Sequence, residues 1–469
     1  MAAPATSRQR TFRQSILEAI RGTTQDFTDG SIGRAVMLLA IPMVLEMAME
    51  SLFAIVDVFW VSRLGADAVA TVGLTESMLS LVFSVAFGVS FSTTAMVARR
   101  VGEKDNHGAA VAAVQAMALS IAIAIAMGVP GLILAPKLLG WMGASSAVIA
   151  TGHRYTSIVL GSNLVVMLLF VVNAVFRGAG DPSAAMRVLW LANFINLLLD
   201  PCFIFGLGPF PALGVTGAAV STLTGRSFGV LYQLWILSGG RSRVAVRWKD
   251  LRVAPKVMLT LARVSVTGVL QNCVAHTSWI LLVRIISSFG SIALAGYTIG
   301  IRVFVFVLMP AWGLSGAAAT MVGQNLGAKK PDRAERAVYL TSIYNMLFLG
   351  GVAAVFIGAP GLLVRLFTTD PGVTGFAVDC LRIAGYGNVT YAVEMVMVQA
   401  FNGAGDTVTP TVINIIGFWI VEIPLAWLLA YHLGWRVRGV FAAIPISETL
   451  IAVLAVIVFL RGGWKRRAI

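Results

Sequence analysis

Charge is what this sequence has least of. Asp, Glu, Lys and Arg make up 12% of its 469 residues, about half the share a soluble domain carries. A fully water-exposed globular surface is therefore excluded. The little charge present is uneven, with 21 acidic against 35 basic residues. A basic excess can signal nucleic acid, but that requires Lys and Arg gathered on one face of a soluble fold. Here they sit in short loops between apolar runs, so no nucleic-acid partner is expected. Cysteine is scarce as well: Cys202, Cys273 and Cys380 lie in apolar context without metal-ligand spacing. There is no P-loop, no His-Glu-x-x-His and no Gly-x-Ser-x-Gly. No enzyme, no cofactor and no ATP-driven pump is expected, and uphill transport must draw on an ion gradient. The first 30 residues are polar and mixed in charge, which argues against a cleavable signal peptide.

Apolar sequence is what there is most of. Hydrophobic residues make up 58% of the chain, and the mean hydropathy is +0.86. A helix needs about 20 apolar residues to cross the hydrocarbon. Runs of this kind predict twelve spans, near 35–62, 68–98, 109–136, 147–176, 183–207, 213–238, 257–287, 292–323, 335–360, 375–402, 409–432 and 437–460. With the N-terminus inside, 24 Lys and Arg fall in inside segments, from Arg8, Arg10 and Arg13 through Arg241 to Arg467. Only 5 fall outside: Arg63, Lys137, Arg365, Arg436 and Arg438. That bias predicts an even number of spans with both termini cytoplasmic. The expected location is the cytoplasmic (inner) membrane of a prokaryote.

The chain also repeats itself. A shift of 225 residues places Gly65 on Gly290, Gly88 on Gly313, Gly102 and Lys104 on Gly327 and Lys329, and Gly214 on Gly439. Phe176-Arg177-Gly178-Ala179-Gly180-Asp181 falls on Phe401-Asn402-Gly403-Ala404-Gly405-Asp406. One register held through six spans predicts two parallel halves, a plan common among secondary transporters. The expected division is a cytoplasmic segment 1–30, a first lobe 31–238, a basic linker 239–256, a second lobe 257–460 and a basic tail 461–469. In the repeated motif the glycines end one helix, and Asp181 caps the next with Pro182 at its first position.

Ionisable residues inside the hydrocarbon are functional candidates. Span 1 holds Glu46, Glu50 and Asp57, whose spacings of 4 and 7 put them on one helical face. Span 5 holds Asn193, Asn196 and Asp200, followed by Pro201. The repeat separates them: Asp57 maps onto Leu282, Asp200 onto Leu425 and Glu46 onto Gln271. A need of the scaffold should recur in both halves, so this asymmetry points to a cation or proton site in the first. A carboxylate in a poorly hydrated cavity can take up a proton. Two carboxylates beside the Asn196 carbonyl and the Thr222 hydroxyl offer Na⁺ hard oxygen ligands instead. Asp57, Asp200, Asn196, Thr222 and Glu50 form the expected coupling set. Glu46, Met47, Phe53, Asn193, Gln271, His276 and Glu394 are the candidates for a substrate cavity, Glu394 as an attractor of cations. Glu76, Glu422 and Glu448 receive no role.

In order and spacing, several stretches resemble the MATE (multidrug and toxic compound extrusion) family. They are Ile41-Pro42, Val56-Asp57, Ser62-Arg63-Leu64-Gly65, Ala98-Arg99-Arg100-Val101-Gly102, Phe176 to Asp181, Leu199-Asp200-Pro201 and Gly217-Ala218-Ala219. The resemblance implies an all-α membrane protein with a V-shaped pair of six-helix lobes and a central cavity. It also implies drug export driven by inward H⁺ or Na⁺ flow. The acid pair is most similar to the DinF-like and archaeal branch, whose first-lobe cation site falls here on Asp57, Asp200, Asn196 and Thr222. Phe53 stands where that branch can carry a Tyr, and the acid pattern of the NorM-like second lobe is not clearly reproduced. The expected protein is a monomeric exporter of cationic or amphipathic compounds. A flippase for a lipid-linked saccharide and a non-transporting receptor or scaffold remain as alternatives.

Overall fold

The computed structural model describes residues 12–23, 25–240, 242–467 and 469, without the side chains of Phe12, Arg13 and Trp248. Arg8, Arg10, Arg241 and the Arg13 side chain, counted above as inside cations, lie outside the described residues. Among the described residues twelve long helices follow one another. Spans 1–6 are Ile32–Ser62, Ala66–Gly102, Asn106–Trp141, Ser146–Ala179, Pro182–Phe205 and Val215–Ser238. Spans 7–12 are Pro255–Ser287, Ser291–Gly327, Pro331–Gly358, Pro371–Gly403, Val408–His432 and Arg436–Leu460. Every expected boundary lies within five residues of these. Ten are long and apolar enough to cross a membrane by length and composition. The other two, spans 6 and 10, carry Arg226 and Gln233, and Asp379, Arg382 and Glu394.

The repeat is written into the backbone. Lys104 and Lys329 are two of the three non-glycine residues with positive φ among those described, at 62° and 58°. Both close the turn after an even-numbered span, and Gly180 and Gly405 share φ of 81° and 79°. Asp181 accepts the Ala184 N–H at 3.2 Å, and Asp406 accepts the Thr409 N–H at 3.4 Å. Positions 184 and 409 are again 225 apart. The cap expected at Asp181 therefore forms, and Asp406 makes the matching contact although Thr407 is the residue that precedes the next helix.

Packing follows the same symmetry. The largest apolar cluster belongs mainly to spans 2–6, around Val97, Ala113, Met167, Phe176 and Val188. The second half has its own clusters around Phe401, Phe441 and Phe356. The halves then exchange contacts: span 2 lies on span 7 and span 8 on span 1. A Cβ on Gly88 would meet Val269 N at 2.5 Å, and one on Gly313 would collide with Met43 O. Bare glycine surfaces let the two backbones approach. Ser92 and Ser265 add a buried hydrogen bond of 2.7 Å across the same seam.

The polar N-terminal segment has more structure than its composition suggests. Residues Phe12–Arg21 form an amphipathic helix whose Ala19 is buried. The strap after it threads between the halves at the end carrying Phe12–Arg21 and the segment after span 12. Phe27 is fully buried there and lies under the Arg243 guanidinium, 5.2 Å away. Arg333 donates to Asp29 O at 2.8 Å and Gly30 O at 2.7 Å. The basic residues of the loops thus bind the strap's carbonyls.

Candidate functional site

Span 5 enters the first lobe with Asn196 and Asp200 one turn apart, facing span 6. Asp200 is fully buried. Ser221 donates its hydroxyl to Asp200 Oδ1. With the Asn196 amide oriented by its neighbours, its amino group donates to Asp200 Oδ2 at 3.0 Å. Its carbonyl oxygen accepts from the Thr222 hydroxyl at 3.0 Å and the Thr222 N–H at 2.9 Å. Close approach makes this possible: Gly225, one turn on from Ser221 and Thr222, has no Cβ where the Ala192 carbonyl passes. Asn196, Asp200 and Thr222 therefore meet as expected. Ser221 was missed. Its signal is in the repeat, since it maps onto Ile446, as Asp200 maps onto Leu425.

Asp57 faces the same lobe from span 1, half-buried and within electrostatic range of Asp200, Glu76 and Arg226. Among the described residues no hydrogen bond joins it to Asp200. Glu50 is tied to span 5 by the Asn193 amide at 3.1 Å. Glu46, expected on a cavity wall, is instead 2% exposed. It accepts from Arg177 at 3.0 Å and Asn173 at 3.4 Å, and Gln233 holds Asn173 at 2.8 Å. Arg177 turns inward from the end of span 4 because a buried carboxylate there demands a cation. The three acids of span 1 thus share one face but serve three different neighbourhoods.

The remaining cavity candidates scatter. Met47 is half-buried, Phe53 buried and His276 exposed. Gln271 is buried with its carbonyl oxygen unpartnered among the described residues. Glu394 is 6% exposed inside the second lobe, with the Glu448 carboxyl group beside its own.

That contact belongs to a second polar cluster. Glu422 ends a π-helical stretch, Ile415–Glu422, of span 11. Such wide turns often mark functional positions. Glu422 accepts the Ser278 hydroxyl of span 7 at 2.6 Å. Glu448 and Asn388 line a small cavity of about 10 Å³ with Tyr391, Phe304, Ile444 and Pro445. That is room for about one water-sized occupant. Both polar atoms of the Asn388 side chain are buried without a partner among the described residues. Shifted back by 225, Glu394, Glu422, Glu448 and Ser278 fall on Leu169, Leu197, Leu223 and Phe53. The asymmetry of the halves therefore runs both ways, which a search of the first half for excess acids overlooks.

A family model described as MatE matches residues 42–202 and 269–428. A probable multidrug resistance protein NorM of Thermotoga maritima is 27% identical over 453 residues, covering 93% of this chain and 94% of its own length. An FAD transporter of Shewanella oneidensis is 26% identical over 424 residues, covering 90% and 93%. Among solved structures, a MOP superfamily transporter from Pyrococcus furiosus superposes with a TM-score of 0.88 at 23% identity, over 94% of this chain and 98% of that one. An outward-facing multidrug resistance MATE family transporter superposes with a TM-score of 0.87 at 23% identity, over 98% and 100%. These structures share the twelve-helix fold. By the match of both halves to one family model, the chain belongs to the MatE family of multi-pass membrane transporters.

Proposed function

We propose that this transporter exports cationic or amphipathic organic compounds in exchange for an ion, and that the ion acts at Asp200 with Asp57. One observation carries the reading: a buried carboxylate, Asp200, is surrounded by the hydroxyl of Ser221 and the amide of Asn196, in one half only. A buried acid with neither a counterpart in the repeat nor an ion-pair partner among the described residues is better explained by coupling than by folding. Both lone pairs of the Asn196 carbonyl are engaged by Thr222. Na⁺ would have to displace that contact to use this oxygen, whereas a proton on Asp200 asks only that the Ser221 hydroxyl turn to the Ala218 carbonyl, 3.1 Å away, so H⁺ is the favoured ion. Relatives named as multidrug resistance proteins support the substrate class. The halves approach closely at the end carrying the strap, which is the cytoplasmic end of an inner-membrane protein in this reading. The cavity then opens outward, in the releasing state. The protein acts as a monomer without a cofactor or nucleic acid.

A second reading places coupling in the other lobe, at Glu394, Glu422 and Glu448. The unpartnered Asn388 beside a cavity of about 10 Å³ favours it. The test for both is efflux of a fluorescent organic cation from proteoliposomes, with H⁺ and Na⁺ gradients imposed separately. Efflux that follows the H⁺ gradient and is lost in Asp200→Asn supports the first reading. Loss in Glu422→Gln with Asp200→Asn active supports the second. Efflux indifferent to both gradients overturns the exchange mechanism.

A further inference from the structure

We propose that the linker between the two lobes is a docking site for the headgroup of an anionic phospholipid. The linker leaves span 6 and reaches span 7 along the start of span 3, and it is fixed to that helix rather than loose. Gln115 of span 3 donates to Arg252 O at 2.7 Å and accepts from the Ala254 N–H at 3.1 Å. Asp250 is buried, accepting from Arg247 N–H at 2.9 Å and contacting His107 at 2.8 Å. Asp250 is the one acid between residues 242 and 256. With it turned inward, every charge the linker shows outward is positive: Arg247, Lys249, Arg252 and Lys256 are all exposed.

The uncharged residues between them are what separates this surface from an ordinary solvated loop. Leu251 is 53% exposed and Val253 is 76% exposed. They alternate with Lys249 and Arg252, so apolar and cationic side chains lie side by side at the mouth of spans 3 and 7. That is the composition of a segment resting where headgroups meet acyl chains. Lys249, Arg252 and His107 border an open cleft of about 520 Å³, walled by Val111 and Ala254. A cleft with cations on its rim and apolar walls fits a phosphodiester with its glycerol. The Leu251 and Val253 side chains then contact the first carbons of the acyl chains. A free anion makes no use of those two residues, so the occupant is the lipid. Each basic residue near an anionic membrane surface contributes about 1 kcal/mol.

The experiment is native mass spectrometry of the full chain in detergent, titrated with dioleoylphosphatidylglycerol, dioleoylphosphatidylcholine or inorganic phosphate. The wild type retains phosphatidylglycerol over phosphatidylcholine. The Lys249→Gln, Arg252→Gln double variant binds phosphatidylglycerol about thirtyfold more weakly, a factor of about five per charge. Lys249→Arg with Arg252→Lys restores it, which separates lost charge from lost folding. Leu251→Ser with Val253→Ser weakens both lipids. Equal retention of the two lipids by the wild type overturns the proposal. So does unaltered phosphatidylglycerol binding in the double variant, or its displacement by equimolar inorganic phosphate.

Discussion

Gly102 of span 2 and Gly327 of span 8 each lie where the other half's backbone passes. A Cβ on Gly102 would collide with the carbonyl oxygen of Gln324, and one on Gly327 with that of Arg99. The pairs are the same contact seen twice, because 99 and 102 shifted by 225 become 324 and 327. The two halves thus meet across an approximate two-fold axis at the end held by the N-terminal strap. Overpacking at such a crossing costs about 1–3 kcal/mol. Gly102→Ala and Gly327→Ala are expected to disfavour closure at this end by similar amounts. Spin labels at Asn106 and Asp332 in a chain without native cysteines should report a longer distance in either variant. Unchanged distances and melting temperatures would show that the crossing does not set closure.

The coupling assignment has a graded test across spans 5 and 6. Ser221 loses a hydrogen bond to a charged group when changed to Ala, an interaction of about 1.5–3 kcal/mol. Asp200→Asn removes the charge itself. Ion-driven efflux is expected to fall at least about tenfold in Asp200→Asn, the equivalent of about 1.4 kcal/mol, and by less in Ser221→Ala. Asp57→Asn should resemble Asp200→Asn although no hydrogen bond joins the two. Passive leak and the melting temperature serve as controls; a Ser221→Ala variant worse than Asp200→Asn contradicts the assignment.

Most of the fold was legible because membrane helices announce themselves by length and apolarity, and because the repeat offered each boundary twice. The site was legible only in part. Asp57, Asn196, Asp200 and Thr222 stood out as polar residues in apolar runs. Ser221 did not, since serines are common in such helices and only its partner gives it meaning. Glu46 was read as a cavity acid because helical spacing gives the face of a side chain but not its partner. Arg177 lies near the end of its run and looked like a loop cation. The cluster at Glu422 depends on a π-helical stretch that no period in the sequence reveals, and the strap depends on carbonyls, which sequence does not describe.

The Glu46–Arg177 pair is therefore expected to behave as structure. Removing one partner of a buried ion pair leaves an uncompensated charge and costs about 3–5 kcal/mol. Glu46→Ala should lower thermal stability in detergent by less than that, because the Arg177 side chain left behind is 21% exposed. Replacing both, Glu46→Leu with Arg177→Met, should recover most of it. A double variant as unstable as the single one would assign Arg177 a role beyond pairing.

Asn388 separates stability from function. Its buried amide has no partner among the described residues, so an apolar residue of similar shape is nearly neutral or stabilising there. Asn388→Leu is expected to keep or raise the melting temperature. If the second-lobe cluster takes part in coupling, the same variant lowers efflux while Asp200 stays intact. Unchanged efflux leaves the first lobe as the coupling site.

At the linker, acid should act before the spans are affected. The Arg247 N–H is the main hold on the Asp250 carboxyl, with His107 adding, and together they keep it below the ordinary carboxylate range. A folded-state value lower than the unfolded one means that ionised Asp250 stabilises the docked linker. That contribution is complete above the unfolded aspartate's pKa of about 3.9 and is lost as pH falls through the lower folded value. Hydrogen exchange of the Arg247 amide, whose partner is Asp250 Oδ2, is the direct readout. Protection is expected to hold at neutral pH and to fall below about pH 4 in the wild type, relative to the intrinsic rate. Asp250→Asn should show the weaker protection at every pH. Wild-type protection indifferent to pH across that window would mean that the carboxylate does not hold the linker in place.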